Sequence, residues 1–346
     1  MPADPPGRFD GLLLLSFGGP EGPDDVMPFL ANVVRGRDVP AARLQVVADR
    51  YQQFGGVSPI NAQNRELLAA IRDDLTAHGI DLPVYWGNRN WHPYVEDAVA
   101  EMAAAGVRRA LVFVTSAYSS YSACRQYLDD LQRARAAVGD TAPELHKLRH
   151  YFDHPGFVEP QADAVRNAVA DIAPDRRATT RLVFVAHSLP VAMAVAAGPD
   201  GGLYTAQLAA AAELIASAGA PGIGWDLAYC SRSGPPSVPW LEPGINAHLE
   251  ALAADGVTDV IVVPAGFVSD HFEVQWDLDT EAAATAARLR LRFARTPTPS
   301  TDPRFVAMVR ELVQERRDPS APRRALSALG PSHDVCPSGC CRVASG

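Results

Sequence analysis

The chain contains the stretch Arg181-Leu-Val-Phe-Val-Ala-His187-Ser-Leu-Pro190, in which five consecutive apolar residues run directly into a histidine. The apolar run predicts a buried β-strand, and Ser188 and Pro190 are residue types that begin helices. Ligands of open parallel sheets bind at the carboxyl ends of the strands, which is where His187 is expected. Because imidazole titrates near neutral pH and also binds metals, His187 is either a functional group or a hydrogen-bonded structural histidine.

Strands and helices are predicted to alternate along the chain on both sides of this stretch. Apolar runs of strand length recur, each followed by a segment of helical character, and this order indicates βαβ units and a mainly parallel sheet. Residues 141–153 are expected to connect two such halves. The predicted strands are 11–17, 82–86, 107–114, 182–186, 224–229 and 259–264, and the predicted helices are 24–33, 41–53, 58–78, 94–105, 123–137, 155–172, 202–217, 245–254, 272–287 and 305–316.

The two halves also resemble each other in sequence. Residues 12–20 (LLLLSFGGP) align with residues 182–190 (LVFVAHSLP), and residues 103–107 (AAAGV) align with residues 252–257 (LAADGV), which are one residue longer. These matches predict a duplicated α/β unit, the alternative being chance similarity between alanine-rich joints. Two such units facing each other would leave a cleft lined by strand ends, a common place for a ligand.

The strongest candidates for chemistry are His187 and Glu273. Glu273 lies nine residues after Pro264, which ends another predicted strand of the second half. Both side chains are therefore expected at one sheet edge, where an imidazole and a carboxylate can divide proton acceptance and metal binding between them. The alternative for the carboxylate is structural, since a helix N-terminus favours acidic residues through its dipole.

Three further groups of side chains suit a flat, anionic ligand of aromatic size. Guanidinium groups bind carboxylates in a bidentate manner, and aromatic rings supply flat apolar surface. Each group also has an ordinary explanation as solvated surface or core packing. The groups are Arg35, Arg37 and Arg50, then Tyr118, Tyr121 and Tyr127, and then Trp225, Trp240 and Trp276.

Length and charge limit the class of protein. The 346 residues are enough for two domains. A formal net charge of −9, with both signs interspersed, disfavours a general nucleic-acid binder. The sequence has no run of 18 apolar residues that would predict a membrane span, and residues 1–10 lack an apolar signal segment. A cytoplasmic protein is therefore expected.

Three of the five cysteines crowd the C-terminal tail, in Cys336-Pro-Ser-Gly-Cys340-Cys341. In a reducing compartment such a cluster favours a metal over a disulfide. A [2Fe–2S] centre would need a fourth thiolate, from Cys124 or Cys230. The alternatives are zinc, although the tail lacks the usual pair of C-x-x-C motifs, and a tail with incidental thiols.

Four segments of the chain resemble the ferrochelatases, in the order and spacing of that family. The resemblance covers about residues 11–316, and its pattern is most similar to the actinobacterial, coproporphyrin III form. The segments are Leu14-Leu-Ser-Phe17-Gly-Gly-Pro20, Gly55-Gly-Val-Ser58-Pro59-Ile60, Val185-Ala-His187-Ser-Leu-Pro190 and Gly266-Phe-Val-Ser-Asp-His271-Phe-Glu273.

The resemblance implies two Rossmann-like α/β domains, with parallel sheets flanked by helices and a porphyrin cleft between them. The first domain would be residues 1–150, the second, carrying His187 and Glu273, residues 151–317, and a cysteine-containing tail residues 318–346. The implied activity is that of a lyase of haem biosynthesis that inserts Fe²⁺ into coproporphyrin III and releases two protons. The alternatives are protoporphyrin IX as substrate, a cobalt or nickel chelatase of the same fold, and a non-catalytic tetrapyrrole-binding protein.

The resemblance also implies roles for single residues. His187 and Glu273 would face the porphyrin centre and handle Fe²⁺ and the pyrrole protons. Phe17 departs from members that have a tyrosine there, because phenylalanine cannot ligate iron. The implied porphyrin contacts are Ser58, Tyr127, Arg50, Tyr51 and Arg35.

Several members of this group carry a [2Fe–2S] cluster on three tail cysteines and one internal cysteine. The resemblance therefore implies a cluster on Cys336, Cys340 and Cys341, with Cys124 preferred to Cys230 as the fourth ligand. The expected partners are the porphyrin and Fe²⁺, with transient contact with neighbouring enzymes of haem synthesis. A monomer without nucleic acid or a membrane span is expected.

Overall fold

The structure, a computed structural model, describes residues 8–37, 39–337 and 339–342 of the chain. It contains two four-stranded sheets, both parallel throughout, with helices packed on them. The predicted α/β class with two parallel sheets is thereby confirmed. Within the described part of the chain, no helix combines the length and the apolar character needed to cross a membrane.

The elements alternate along the chain as the βαβ pattern requires. The strands are β1 (Gly11–Ser16), β2 (Val84–Asn88), β3 (Arg109–Val114), β4 (Glu144–Lys147), β5 (Thr180–His187), β6 (Gly224–Cys230), β7 (Asp259–Val263) and β8 (Arg292–Arg295). The α-helices are α1 (Val26–Val33), α2 (Ala41–Gln52), α3 (Ile60–Ala77), α4 (Val95–Ala104), α5 (Gln126–Val138), α6 (Pro155–Ala170), α7 (Val191–Val195), α8 (Leu203–Gly219), α9 (Ile245–Ala254), α10 (Ala283–Leu289) and α11 (Pro303–Arg317). Short 3₁₀ helices cover Pro23–Asp25, Gly139–Thr141 and Pro174–Thr179, and π-helical segments cover Tyr121–Arg125 and Val274–Ala282.

The two sheets repeat one topology, β2-β1-β3-β4 in the first half and β6-β5-β7-β8 in the second. Their registers also agree, because Leu12 lies opposite Leu111 while the aligned residue Leu182 lies opposite Ile261. This agreement supports the duplicated unit that the sequence predicts. The same hydrogen bond also follows the second strand of each half, from Asn88 N to Pro93 O at 2.7 Å and from Tyr229 N to Pro243 O at 2.9 Å.

Two strands and two helices differ from the sequence prediction. The helix predicted at 123–137 begins as the π-helical segment Tyr121–Arg125 and continues as α5. The predicted connection 141–153 contains the edge strand β4, and a second edge strand, β8, follows α10. Both are four residues long and carry polar side chains, so they lack the apolar runs that mark buried strands. The helix predicted at 272–287 is instead a π-helix followed by α10, because hydrophobic spacing does not distinguish the two helix types.

The last helix, α11, joins the two halves, since it packs against α3 of the first half and α6 of the second. An ion pair lies buried beside it. Arg149 Nε and Glu315 Oε2 are 2.7 Å apart, and their side chains are only 1% and 2% exposed. A second nitrogen, Nη2, also donates to Glu315, at 2.8 Å, so the pair is bidentate.

Replacing Glu315 by glutamine is expected to reduce the free energy of unfolding by about 3–5 kcal/mol, because it leaves the Arg149 charge buried without a counter-charge. Chemical denaturation monitored by circular dichroism measures the change. The matched control is Glu250→Gln, whose partner Arg288 lies 2.6 Å away at an exposed site, and which should change stability by less than about 1 kcal/mol. Equal losses of stability in the two variants would show that burial of the Arg149–Glu315 pair does not increase its contribution.

Candidate active site at the strand ends of the second sheet

His187 is the last residue of β5, which pairs with both β6 and β7 in the second sheet. Its Nδ1 lies 2.6 Å from Ser188 O, and because a carbonyl oxygen only accepts, Nδ1 carries the proton that is donated there. The backbone carbonyl of His187 accepts a hydrogen bond from Tyr204 Oη at 2.8 Å. These contacts direct Nε2 toward Glu273, and Nε2 lies 3.6 Å from Oε2 of that carboxylate.

Glu273 directly precedes the π-helix, at the end of a loop that follows β7. Side chains of the first half hold this loop. Tyr118 Oη donates to Ala265 O at 2.8 Å, and Gln63 Oε1 accepts from Asp270 N at 2.9 Å. The site is therefore assembled by both halves of the chain.

One more first-half side chain fixes the residue next to Glu273. The ring of Tyr51 stacks on Phe272, with centroids 3.6 Å apart and planes inclined by 17°. Burial, together with the nearby charge of Glu273, raises the pKa of Tyr51 well above its ordinary value. Tyr51 is therefore a neutral hydroxyl at all physiological pH values.

The His187–Glu273 pair is electrostatically strong, although its side chains remain 34% and 42% exposed. Burial disfavours the charged form of each group, but attraction to Glu273 outweighs it and raises the pKa of His187 to about 9. Burial likewise acts against the Glu273 anion, and the charges of His187 and His271 overcome it and lower the pKa of Glu273 to about 2. Both groups are thus charged at neutral pH, and His187 must lose a proton before it can accept one or bind a metal.

We expect the imidazole carbon resonances of His187 to titrate with a midpoint near pH 9 in histidine-labelled protein. In Glu273→Gln the attracting charge is gone and burial remains, so the midpoint should fall toward the ordinary histidine range. NMR titration of both proteins measures the shift. An unchanged midpoint would show that the two side chains do not interact.

The same pair makes stability depend on pH. The contribution of His187 to the free energy of unfolding is fully present below its ordinary pKa of 6.5. It is lost as the pH rises through about 9. The contribution of Glu273 to the free energy of unfolding is present above its ordinary pKa of 4.5. It is lost as the pH falls through about 2. The stability difference between wild type and Glu273→Gln should therefore be largest between these ordinary values, from pH 4.5 to 6.5.

Two carboxylates that the sequence prediction missed continue from Glu273 along the π-helix. Asp277 accepts a hydrogen bond from Ser231 Oγ, and burial beside Glu273 raises its pKa to about 6. Glu281 Oε1 lies 3.6 Å from Arg50 Nη2, and its side chain is 38% exposed. The spacing of four residues places three acidic groups along one helix face, a pattern that was visible in the sequence.

Residues 9–317 match the ferrochelatase family model. The chain belongs to the ferrochelatase family. Its curated relatives include proteins named coproporphyrin III ferrochelatase from Nocardia farcinica, at 59% identity, and from Frankia alni, at 57% identity. The matches cover 96% of this chain and 96% of the Nocardia protein, and 98% of this chain and 88% of the Frankia protein. The family predicted from the four motifs is confirmed.

Solved structures agree with this family at the level of the fold. The sirohydrochlorin chelatase SirB from Bacillus subtilis subspecies spizizenii, in complex with cobalt, has a TM-score of 0.51 to this chain. The match covers 90% of this chain and 97% of SirB, at 13% sequence identity. At that identity, the likeness concerns the arrangement of elements alone.

The porphyrin contacts implied by the ferrochelatase resemblance lie in different surroundings. Tyr51 and Arg50 are near Glu273 and the π-helix, with the Arg50 guanidinium 5.0 Å above the ring of Trp276. Ser58 is buried, and a Cβ built on Gly19 would contact it, so the loop after α2 touches the loop after β1. The structure therefore brings Tyr51 and Arg50 to the site.

Arg35 and Tyr127 are placed differently. Arg35 is exposed in the turn after α1, and its guanidinium donates to Asn32 Oδ1. Tyr127 is 5% exposed in the core of the first half, and the Arg89 guanidinium lies 5.5 Å above its ring. Phe17, which follows β1, is 39% exposed and packs edge-on against Phe29.

Four cysteines come together in one buried cluster. Cys124 Sγ lies 3.2 Å from Cys336 Sγ, and Cys340 Sγ lies 3.8 Å from Cys341 Sγ. Cys230, in contrast, is buried in the core of the second half. The internal thiol that meets the tail is therefore Cys124.

Among the four thiols, the surroundings favour a thiolate at Cys124. Hydrogen bonding to Cys124 raises the pKa of Cys336 and Cys341, and burial raises the pKa of Cys340. Hydrogen bonds from Cys336 and Cys341, followed by the charge of Lys147, lower the pKa of Cys124 strongly. Gly198 N donates to Cys341 Sγ at 3.2 Å. His333, which the sequence prediction did not include, places Nε2 3.9 Å from Cys340 Sγ.

Proposed function

We propose that the protein inserts Fe²⁺ into coproporphyrin III in haem biosynthesis, with release of two protons. The observation that carries the proposal is the His187–Glu273 pair, 3.6 Å apart at the carboxyl edge of a parallel sheet, in a chain of the ferrochelatase family. The choice of porphyrin rests on relatives that are named for coproporphyrin III and are more than 50% identical to this chain.

The number of protons released indicates which role each of the two side chains takes. A metal-free porphyrin carries two pyrrole N–H protons, and both must leave when Fe²⁺ binds the four nitrogens. Glu273 is unprotonated at neutral pH and is the first acceptor, while His187 becomes an acceptor after its own proton has left. The two residues together can thus receive both protons and can also hold Fe²⁺ as it enters.

The protons need a route from the pair to solvent. Asp277, with a pKa raised to about 6, exchanges a proton near neutral pH. It lies between Glu273 and Glu281 in sequence, and both of these side chains are partly exposed. Its hydroxyl neighbour, Ser231, can donate to it in the charged form. We assign this row of carboxylates the removal of protons from His187 and Glu273.

Binding of the porphyrin is assigned to the first half of the chain. Arg50 and Arg35 are proposed to pair with propionates, and Ser58 and Tyr51 to border the macrocycle. Tyr127 is left without a direct contact, since it is buried in the core behind Arg89. The domains are proposed to be residues 1–150 and 151–317 with a tail of 318–346, so that the site lies between the first two.

The experiment is anaerobic mixing of the protein with Fe²⁺ and either coproporphyrin III or protoporphyrin IX, followed by absorption spectroscopy. Faster metallation of coproporphyrin III is expected. Equal or faster reaction of protoporphyrin IX would contradict the substrate assignment. A protein that metallates a sirohydrochlorin-type ring with Co²⁺, or that binds porphyrin without metallating it, would contradict the proposed activity.

For the tail we propose a resident [2Fe–2S] cluster held by Cys124, Cys336, Cys340 and Cys341. The residues fit this group in kind and number, because four thiols approach one another as two close pairs and four cysteine thiolates are the usual ligands. When bound, the cluster would supply one-electron chemistry. The pair formed by Cys124 and Cys336 ties the tail to the first half.

Assembly and location are also proposed. The protein is proposed to act as a monomer in the cytoplasm, where neighbouring enzymes of haem synthesis contact it transiently. Light scattering on the purified chain measures its mass directly, and a stable dimer would contradict this proposal.

A further inference from the structure

The segment that carries Glu273 follows a loop rather than a strand or a helix. Residues 264–271 form this loop, between the end of β7 and the residues that lead into the π-helix. The separation of 3.6 Å between Glu273 Oε2 and His187 Nε2 therefore depends on contacts that hold the loop and the π-helix against the sheet.

Arg295 contacts one carboxylate on each side of Glu273. Its Nη1 donates to Asp270 Oδ1 at 2.9 Å, in the loop before Glu273. Its Nε and Nη2 donate to the two carboxylate oxygens of Asp279 at 2.8 Å and 3.0 Å, in the π-helix after Glu273. Because a guanidinium is planar and donates in fixed directions, this one side chain sets the distance between the two ends of the segment.

Arg295 is itself fixed on the second sheet. It is the last residue of β8, which runs parallel to β7 and pairs with it. Its Nη1 also donates to Thr296 O at 3.2 Å, and its side chain is only 18% exposed. The segment is thus tied to the carboxyl edge of the sheet, the edge at which His187 also lies.

Asp270 is held from both halves of the chain. Its backbone nitrogen donates to the side chain of Gln63, a residue of α3 in the first half. Its carboxylate accepts from Arg295, a residue of the second half. The loop before Glu273 therefore has a fixed point to which the guanidinium is bound.

We infer that Arg295 is a positioning residue for iron insertion, which holds Glu273 opposite His187 by bridging Asp270 and Asp279. This inference rests on the proposed function, in which Glu273 accepts a proton. A residue that only stabilised the fold would leave the contact between Glu273 and His187 unchanged when it is replaced in a folded protein.

The loss of Arg295 changes the pKa of His187 in opposite directions according to whether Glu273 moves. Removal of the positive charge alone would raise this pKa, because two carboxylates lose their counter-charge. Burial lowers the pKa of His187 and attraction to Glu273 raises it, so movement of Glu273 away from the imidazole would lower it. The other charged neighbours of the pair, Asp277 and His271, are the same in this variant.

The test is NMR titration of histidine-labelled Arg295→Gln, with circular dichroism to confirm that the variant is folded. We expect the midpoint of His187 to fall from about 9 toward the ordinary histidine range. The matched control is Arg288→Gln, whose partner is the exposed carboxylate of Glu250, and which should keep the wild-type midpoint. A midpoint in Arg295→Gln that stays near 9 or rises would overturn the inference, and so would an equal fall in Arg288→Gln.

The rate of iron insertion gives a second readout. In Arg295→Gln we expect kcat to fall by about tenfold to a hundredfold, the effect of displacing a reacting group by about 1 Å, with little change in KM for the porphyrin. Asp279→Asn removes the bidentate contact at a side chain that is 37% exposed, so it should fold and should also lower kcat. The double variant should lose no more than Arg295→Gln alone, because both changes remove one bridge.

Additive losses of kcat in the double variant would overturn the inference, as would a wild-type kcat in Asp279→Asn. Failure of the proposed function gives a different result. A wild-type protein that does not metallate any porphyrin would contradict iron insertion, whereas the titration of His187 would still show whether Arg295 holds Glu273 in place.

Discussion

Replacing Glu273 by glutamine is expected to lower kcat for iron insertion by roughly 10²–10⁴-fold, the usual contribution of a positioned proton acceptor. Glutamine has the shape of glutamate but accepts no proton. It also leaves the proton on His187 without the charge that holds it, so the pKa of His187 falls. The variant thus separates two effects, because it frees His187 to accept one proton while removing the acceptor for the other.

The measurement is the initial rate of coproporphyrin metallation under anaerobic conditions, as a function of pH. In the variant, the remaining activity should depend on His187 alone and reach its plateau at lower pH than in wild type. KM for the porphyrin should change little, since the propionate contacts assigned to Arg50 and Arg35 are intact. A Glu273→Gln protein that metallates at the wild-type rate would remove Glu273 from the mechanism.

Glu281→Gln is an informative companion on the same helix. Glu281 is partly exposed and paired with Arg50, two turns from the catalytic pair. Removing its charge should affect the rate by much less than Glu273→Gln, since a proton can pass from Asp277 to water at this exposed end. Equal losses of rate in Glu281→Gln and Glu273→Gln would mean that Glu273, Asp277 and Glu281 act as one unit.

The central strands and the placement of the His187–Glu273 pair were predictable because both depend on local signals. Apolar runs mark strands buried on both faces, and the residue after such a run lies at the ligand edge. His187 follows directly from this rule. Glu273, nine residues after Pro264, follows from it only with the further expectation that the next helix starts at the same sheet edge. The edge strands β4 and β8 were not predicted by this rule, because a strand exposed on one side needs no apolar run.

Other features depend on contacts between distant segments, which sequence patterns do not report. Tyr51 contacts Phe272 across more than 200 residues, and Tyr127 is buried in the core of the first half although it belongs to a tyrosine-rich stretch. His333 is an ordinary tail histidine until folding places it beside Cys340. The preference for Cys124 over Cys230 likewise rested on resemblance. In the structure, Cys124 contacts the tail cysteine Cys336, whereas Cys230 lies in the core of the second half.

Replacing Cys124 by serine is expected to abolish the visible absorption of the proposed [2Fe–2S] cluster, whereas Cys230→Ser should leave it unchanged. Cys124 Sγ lies 3.2 Å from Cys336 Sγ, and loss of this thiolate leaves one iron without a ligand. Cys230 is also buried, but its neighbours are Ser231 and the core of the second half. The two variants are matched, since each exchanges one buried sulfur for oxygen.

Absorption and electron paramagnetic resonance of anaerobically purified protein, together with iron and sulfide analysis, measure the outcome. Loss of absorption in Cys230→Ser with retention in Cys124→Ser would reverse the ligand assignment, and a colourless, iron-free wild type would remove the cluster altogether. His333 gives the Cys124→Ser variant a further use. Because three thiols and one imidazole remain there, any iron that is retained must show the altered resonance of histidine ligation, and His333→Ala added to Cys124→Ser should then remove it.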